Sequence, residues 1–241
     1  MKTKTLLIAA AALAAGIISS QAQGVYSQNI VGYVNVPLTN GVLALVAPAL
    51  DKDGTGTNNT VASVFPNPAQ GDTVYVFNGV GYTILNFQAV GSGRPVVFTT
   101  NWFNGSTLAT NFPINPGEGV FYLPAANETN TQVGVVLQNS VTNTFFPAAN
   151  TLGLLSSTIP ISGGITSVLG YQPSQGDTLY QYANGGYKIF NYQAVGSGRP
   201  VVFTTNWFNG STEDEPVITV GQGFFFQPAS NTNWVETLNV N

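Results

Sequence analysis

Short runs of alternating residue types fill most of the chain. In Val74–Phe77 aromatic positions alternate with valines, and Leu179–Tyr182 repeats the pattern with Gln181 in place of one valine. A period of two is typical of a β-strand with two different faces. Positions that accept either Val or Gln therefore predict a solvated face opposite a buried aromatic face.

Other apolar runs and the turns between them extend this β pattern. Gly, Pro or Asn bounds each of three further runs, at Val96–Thr100, Val120–Leu123 and Val133–Leu137. Asn78 and Asn184, each followed by Gly, stand between runs and predict β-hairpins. Only residues 61–65 and 165–169 predict a short helical turn within the β regions.

A duplicated segment organises the sequence. Gln88–Thr107 recurs letter for letter as Gln193–Thr212, 105 residues later, and the flanking motifs recur with it. Self-similarity over this distance predicts two domain-sized repeats, 23–137 and 138–241. We expect an all-β fold of two tandem homologous antiparallel β domains, each a sandwich or partly open barrel. Because no Pro- or Ser-rich linker separates them, they should dock closely.

The N-terminus has the pattern of a secretory signal peptide. Lys2 and Lys4 precede an apolar run of 13 residues, Leu6–Ile18, and small residues end at Ala22. A membrane-spanning helix needs about 20 apolar residues, so cleavage after residue 22 is the prediction. We expect an exported protein, in the periplasm, on the cell surface or in the medium, with no transmembrane helix in the mature chain.

Composition narrows the classes of function. Without the signal peptide, four basic residues face ten acidic ones, a formal charge of −6. Nucleic acid is therefore not an expected partner, because phosphate binding depends on clustered Lys and Arg. The chain has no Cys and no His, which excludes disulfides, Ser-His-Asp and Cys-His catalysis and the usual zinc sites. Carboxylate chemistry and oxygen-ligated calcium remain.

Several motifs resemble a known group of proteins. They include Val31-Gly-Tyr-Val-Asn-Val-Pro37, Gly71-Asp-Thr-Val-Tyr75, Pro116-Gly-Glu-Gly-Val-Phe121 and the final Asn-Val-Asn. This pattern is similar to secreted two-repeat β proteins of verrucomicrobial bacteria. The resemblance covers essentially the whole mature chain. It implies an exported bacterial protein and no particular activity.

One loop is a candidate calcium site. Asp51, Asp53 and Thr55 alternate with other residues around two glycines, as oxygen ligands do in the first half of an EF-hand loop. The acid that closes such a loop is missing, and the second repeat has unrelated residues at 160–164. A solvated loop with turn chemistry is the alternative.

Two kinds of charge occur in both repeats. They are Asp72 with Asp177 and Arg94 with Arg199. We expect a structural role, in which each carboxylate caps a Gly-rich turn or pairs with the arginine of its repeat. In the alternative, Arg94 and Arg199 lie on exposed loops and hold an anionic or sugar ligand.

Trp102 and Trp207 are candidates for sugar binding. Each lies in Asn-Trp-Phe-Asn-Gly-Ser, and an exposed indole among amides is suited to stacking on a sugar ring. Alternatively, both tryptophans pack in the core or at its rim.

Glu118 and Asp72 are the only residues that suggest a carboxylate pair for glycoside hydrolysis. The second repeat has Gln222 at the position of Glu118, so only one repeat could act. Turn residues before a strand explain both Glu and Gln without catalysis. We therefore expect no enzyme.

The sequence predicts an exported, non-catalytic structural, adhesive or binding protein with no cofactor, apart from the calcium alternative. Polysaccharide or other surface proteins are its expected partners. A glycan-binding module is one alternative. An outer-membrane β-barrel is another, because many short aromatic strands also occur in that class.

Overall fold

Two antiparallel six-stranded sheets, one in each repeat, dominate the fold. The computed structural model describes residues 30–94, 96–197 and 201–239, so the predicted signal peptide lies outside the described residues. The predicted all-β fold with two antiparallel units is confirmed. No described helix is long and apolar enough to cross a membrane.

The elements of the first repeat run from β1 to β8. They are β1 (Val31–Leu38), β2 (Ala44–Val46), α1 (Val61–Val64), β3 (Thr73–Phe77), β4 (Tyr82–Ser92), β5 (Val97–Asn104), β6 (Thr107–Leu108), β7 (Val120–Leu123) and β8 (Glu128–Val135).

The second repeat has the corresponding strands and one additional short pair. They are β9 (Asn139–Thr142), β10 (Gly153–Ser156), β11 (Gly163–Gly164), β12 (Thr178–Ala183), β13 (Gly186–Ser197), β14 (Val202–Asn209), β15 (Thr212–Glu213), β16 (Val217–Ile218), β17 (Gly223–Gln227) and β18 (Val235–Leu238).

Both large sheets have the same topology. Their strand orders are β2-β7-β3-β4-β5-β6 and β10-β17-β12-β13-β14-β15, and β1–β8, β9–β18 and β11–β16 form two-stranded ribbons. Asn184 and Gly185 have positive φ and form a two-residue hairpin turn, as predicted. The first repeat has a four-residue loop there, closed by a bond from the Asn78 N–H to the Gly81 carbonyl.

Each repeat has its own core on one face of its sheet. In the first repeat, apolar side chains of the sheet pack against α1 and the neighbouring loops. These residues are Val61, Val64, Phe65, Val74, Val76, Leu85, Trp102, Ile114 and Tyr122. Thr60 starts α1 with a capping box to Ser63, which fixes the helical turn that the sequence predicted. The corresponding residues 165–169 form a turn without helix.

The opposite faces of the two sheets pack against each other. Their contact forms a third cluster of symmetry-related residues: Leu45 with Leu154, Tyr75 with Tyr180, Phe77 with Tyr182, and Phe121 with Phe225. The predicted solvated face is therefore wrong at Val76, which is buried. The valines of β3 point into the core of their own repeat, and its aromatic residues point to the other repeat. Both faces of the sheet are therefore covered at β3.

Backbone bonds also join the repeats. Val46 bridges to Gln222, and Leu155 bridges to Glu118 at the equivalent place. At Gly119 a Cβ would lie 2.6 Å from the Leu155 carbonyl oxygen, so only glycine permits this approach. The boundary predicted between residues 137 and 138 falls between β8 and β9.

Candidate functional site

The far ends of two long hairpins are the most distinctive surface of the protein. Strands β4 and β5 pair from Asn86 with Phe103 to Ser92 with Val97. In the second repeat, β13 and β14 pair in the same register, from Asn191 with Phe208 onward. These hairpins contain seventeen of the twenty residues that are identical in the two repeats, and the other three lead into β6 and β15.

The identical residues are mainly exposed. Every described residue from Gly91 to Thr100 is exposed, and Phe98 and Phe203 keep 69% and 70% of their surface accessible. Of the described residues in the identical segment, only Trp102 and Phe103, with Trp207 and Phe208, are buried, whereas several core positions outside it differ between the repeats: Val74 and Leu179, Leu85 and Phe190, Tyr122 and Phe226. Exposed substitutions usually change stability by less than about 0.5 kcal/mol, so folding does not account for the identity of the hairpins.

Phe98 is held in a defined position although it is exposed. Its cross-strand partner is Gly91, and a Cβ there would lie only 3.0 Å from the Phe98 ring. Phe203 lies against Gly196 at the same distance. The ring therefore covers the glycine backbone, and both hairpins present the same fixed aromatic surface.

Both hairpins also have an open outer edge. The short strand β6 pairs only with Phe103 and Asn104, and the Ala109 N–H donates to the Trp102 carbonyl. Backbone groups of alternate residues point to the same side of a strand, so those of Thr100 and Phe98 point outward too. They have no hydrogen-bond partner on that side within the described part of the chain. In β14 the residues Thr205 and Phe203 correspond.

The two tryptophans lie inside the repeats, as in the interpretation in which both pack in the core, and not as the exposed indoles that sugar stacking requires. Trp102 and Trp207 are each 1% exposed and belong to the two cores. Trp207 Nε1 donates to Thr166 Oγ1 at 2.9 Å. The strands continue from exposed arms into the sheets, which places the indoles over the core, where no ring of a ligand can stack on them.

Asp72 and Arg94 do not form the charge pair that the sequence suggested. The Asp72 carboxylate is buried and accepts from Ala69 N at 2.6 Å, Ala125 N at 2.7 Å and Tyr122 Oη at 2.6 Å. Arg94 lies exposed at the tip of the β4–β5 hairpin. Asp72 therefore holds turns beside Phe87, in the middle of β4, whereas Arg94 lies beyond the end of that strand. Arg199 lies outside the described residues.

Asp177 has the same role in the second repeat. It accepts from Ser174 N and Ala229 N, each at 2.7 Å, and from Tyr171 Oη at 2.7 Å. The phenol now comes from the loop before β12, whereas Tyr122 of the first repeat is on β7. A Phe occupies the position equivalent to Tyr122, so the two repeats supply the same bond from different elements.

Glu128 is a second carboxylate near Asp72, and the sequence did not reveal it. Glu128 Oε1 lies 2.8 Å from Tyr122 Oη, which also contacts Asp72. Burial and the nearby Asp72 charge raise the pKa of Glu128, and burial together with both carboxylates raises the pKa of Tyr122. The phenol has one proton, so it can donate to only one of the two carboxylates at a time. No signal in the sequence connects positions 72, 122 and 128.

Glu118 lies elsewhere and does not join Asp72. Its Oε2 accepts from Asn115 N at 3.3 Å, as Gln222 Oε1 accepts from Thr219 N at 3.1 Å in the second repeat. Burial raises the pKa of Glu118 to about 7. The structure therefore does not bring together the carboxylate pair suggested for glycoside hydrolysis.

Glu236 is a further buried carboxylate that the sequence did not reveal. It accepts from Ser157 Oγ, Thr158 N and Thr158 Oγ1, at 2.6, 2.6 and 2.7 Å. Burial raises its pKa. In the first repeat Gln132 accepts from Ala49 N at 2.8 Å in the same position, so the acid has a structural equivalent without charge.

The candidate calcium loop is closed by its own hydrogen bonds. Asp51 is buried, and its Oδ2 accepts from Gly54 N. Asp53 Oδ1 accepts from Thr55 Oγ1 at 2.6 Å, and Asp53 Oδ2 accepts from Asn58 Nδ2 at 2.7 Å. These bonds lower the pKa of Asp53 to about 2. Among the described residues, no group of three or more His, Cys, Asp or Glu side chains could hold a metal ion.

Fold and site together define an all-β two-repeat protein with duplicated, exposed hairpins. Comparison of the chain with family models, curated proteins and solved structures finds no match. The hairpins are therefore the candidate functional site on geometry alone.

Proposed function

We propose that this is an exported, non-catalytic structural or adhesive protein that binds other surface molecules through its two identical hairpins. The observation that carries the proposal is the location of the sequence identity. It covers mainly exposed side chains that the fold does not require, with Trp102 and Phe103 as its buried members, whereas several core positions outside it differ between the repeats. Two equal binding surfaces on one chain increase the overall strength of attachment, which suits adhesion.

The environment of the carboxylates supports a non-catalytic role. Asp72, Asp177 and Glu236 are buried, and each binds backbone amides and hydroxyl groups of its own repeat. Their hydrogen bonds position turns and strands. The absence of His and Cys from the sequence leaves carboxylates as the main acid–base groups, and these have structural partners.

The surface of the hairpin arms supports contact with proteins. Phe98 and its neighbours Val96 and Val97 are exposed, and Val201 and Phe203 repeat them. Clustered exposed apolar residues on a stable protein commonly mark an interaction surface. Export is supported by residues 1–22, whose charged start, apolar run and small residues are typical of a signal peptide.

Binding to intact cells tests the proposal. The mature protein, labelled and added to cells of the source organism, is expected to bind them, and Phe98→Ser with Phe203→Ser should reduce the bound fraction about tenfold or more. Val80→Ser is the matched control, because Val80 is 98% exposed and lies outside the identical segment. If the wild type and the double variant bind equally, the proposal fails. Recent exchange of sequence between the two repeats would then explain why their hairpins are identical. N-terminal sequencing of the protein from fractionated cultures tests export and should begin at Gln23.

A further inference from the structure

The open edges of the hairpins point to a specific partner. We propose that the outer edge of β5 pairs antiparallel with the outer edge of β14 in a second copy of the chain, so that copies join head to tail. This inference rests on the proposed binding role of the hairpins and names one of their partners.

The backbone of each edge is ready to accept a strand. Phe98 and Thr100 direct their outer N–H and C=O groups away from β4, and Phe203 and Thr205 do the same in β14. Exposed edges of this kind pair with further strands unless charge, proline or a covering segment protects them. Toward the tips of the hairpins, the covering strand β6 ends opposite Phe103, and β15 ends opposite Phe208.

The side chains of the edges are compatible with such pairing. Residues 96–107 contain no charge, and neither do residues 201–212, which are identical to them. Two edges with the same sequence place Thr and aromatic residues opposite one another without repulsion between like charges. Phe98, fixed over Gly91, gives the new sheet an apolar face of defined shape.

Charge complementarity favours β14 over a second β5 as the partner of the β5 edge. Antiparallel pairing places the tip of one hairpin beside the base of the other. The tip of the first hairpin carries the exposed Arg94. The base of the second carries Glu213 and Asp214, whereas Leu108 and Ala109 occupy these places in the first repeat. Asp214 is paired with Lys188 at 2.8 Å, and Glu213 accepts from Asn206 Nδ2, so the group keeps a net charge of −1. An Arg94 tip therefore meets opposite charge at β14, and only neutral residues at another β5.

A head-to-tail contact leaves one edge free at each end of the assembly. Such a heterologous contact extends into a linear chain as copies are added, unless the rotation between copies closes it into a ring. This behaviour is suited to a structural protein that forms a layer or fibre outside the cell.

Proline substitution on the outer side of each strand tests the pairing. Thr100→Pro and Thr205→Pro each remove one outward N–H and keep the bonds that join the two strands of the hairpin. By sedimentation velocity, from about 10 µM to about 1 mM, the mature wild-type protein should grow beyond a dimer. Each variant alone should remain monomeric. An equimolar mixture of the two should form a dimer and nothing larger, because it contains one intact edge of each kind.

Controls make the outcome specific to the edges. Thr100→Ala and Thr205→Ala keep the outward N–H and should assemble like the wild type, and circular dichroism checks that each proline variant is folded. If a proline variant does not fold, Arg94→Glu provides the test, since it should weaken assembly about tenfold or more and Arg94→Lys should not.

Three results would overturn the head-to-tail pairing. They are a wild-type protein that stays monomeric up to about 1 mM, self-association of either proline variant alone, and unchanged assembly by Arg94→Glu. A monomeric protein that still binds cells through Phe98 and Phe203 would reject the self-association and leave the proposed function standing.

Discussion

Phe121 of the first repeat and Phe225 of the second lie with their ring centroids 5.9 Å apart, at the centre of the contact between the two large sheets. Phe77 meets Phe225 edge to face at 5.5 Å, and Tyr182 meets Phe121 in the equivalent way at 5.5 Å. The aromatic residues of each repeat thus complete the cluster of the other. The two repeats bury one shared interface in addition to their separate cores.

Replacement of Phe225 by Ala should therefore destabilise both repeats. Removal of a buried Phe commonly costs about 3–5 kcal/mol, and Phe225 is 5% exposed. Urea unfolding of the wild type should show one transition, followed by tryptophan fluorescence and by circular dichroism. Phe225→Ala should lower the midpoint for both signals, whereas Val80→Ala should not. A variant that loses stability in only one of two separate transitions would show that the repeats fold independently.

The Asp72 carboxylate should contribute far more to stability than Arg94. Asp72→Ala leaves Ala69 N and Ala125 N without their acceptor, whereas Tyr122 Oη keeps Glu128, and each unsatisfied buried group costs about 1–3 kcal/mol. We expect a loss of about 3 kcal/mol or more in the free energy of unfolding. Arg94→Ala should change it by less than about 0.5 kcal/mol, because the residue is exposed. Equal losses for the two variants would support the ion pair that the structure does not show.

Local patterns in the sequence were sufficient to predict the main features of the fold. The Asn-Gly turn at Asn184 and the two-repeat organisation are set by nearby residues, and the structure contains both. The second covered face could not be predicted in the same way. Val76 and Gln181 occupy equivalent positions, which indicated a solvated face. Gln181 is tolerated near the core because its Nε2 donates to the Val217 carbonyl at 2.6 Å.

The candidate site was only partly accessible to sequence reasoning. The identical segment was evident, but whether Trp102 or Phe98 is its exposed aromatic residue depends on where the hairpin leaves the sheet. Both lie on the same face of β5, four residues apart. Two of the three partners of Asp72, Tyr122 and Ala125, are 50 and 53 residues distant along the chain, so no local pattern identifies them.

Gly119 should be essential for the contact between the repeats. A Cβ at this position would lie 2.6 Å from the Leu155 carbonyl oxygen, and the backbone must move to admit it. Overpacking of this kind costs about 1–3 kcal/mol, so Gly119→Ala should lower the free energy of urea unfolding by that amount. Gly81→Ala is the control, since a Cβ there meets nothing within 4 Å. If the two substitutions changed the free energy of unfolding equally, the close approach at Gly119 would not contribute to stability.

Glu118 should make the protein less stable at alkaline than at mildly acidic pH. Burial raises its pKa from 4.5 to about 7, so the folded state holds the proton more tightly than the unfolded chain does. Its favourable contribution is fully present below pH 4.5 and is lost as the pH rises through about 7. One pKa unit corresponds to about 1.4 kcal/mol, which sets an upper limit of about 3 kcal/mol.

The second repeat provides the matched variants for this prediction. Glu118→Gln copies the residue found at Gln222 and should unfold at the same urea concentration as the wild type near pH 4.5, but at a higher one at pH 8. Gln222→Glu introduces a second acid in the equivalent turn and should steepen the loss of stability between these pH values. Raised pKa values of Glu128 and Glu236 act in the same direction, so some pH dependence should persist in Glu118→Gln. Parallel stability profiles for the wild type and Glu118→Gln would show that Glu118 ionises in the folded state as readily as in the unfolded chain.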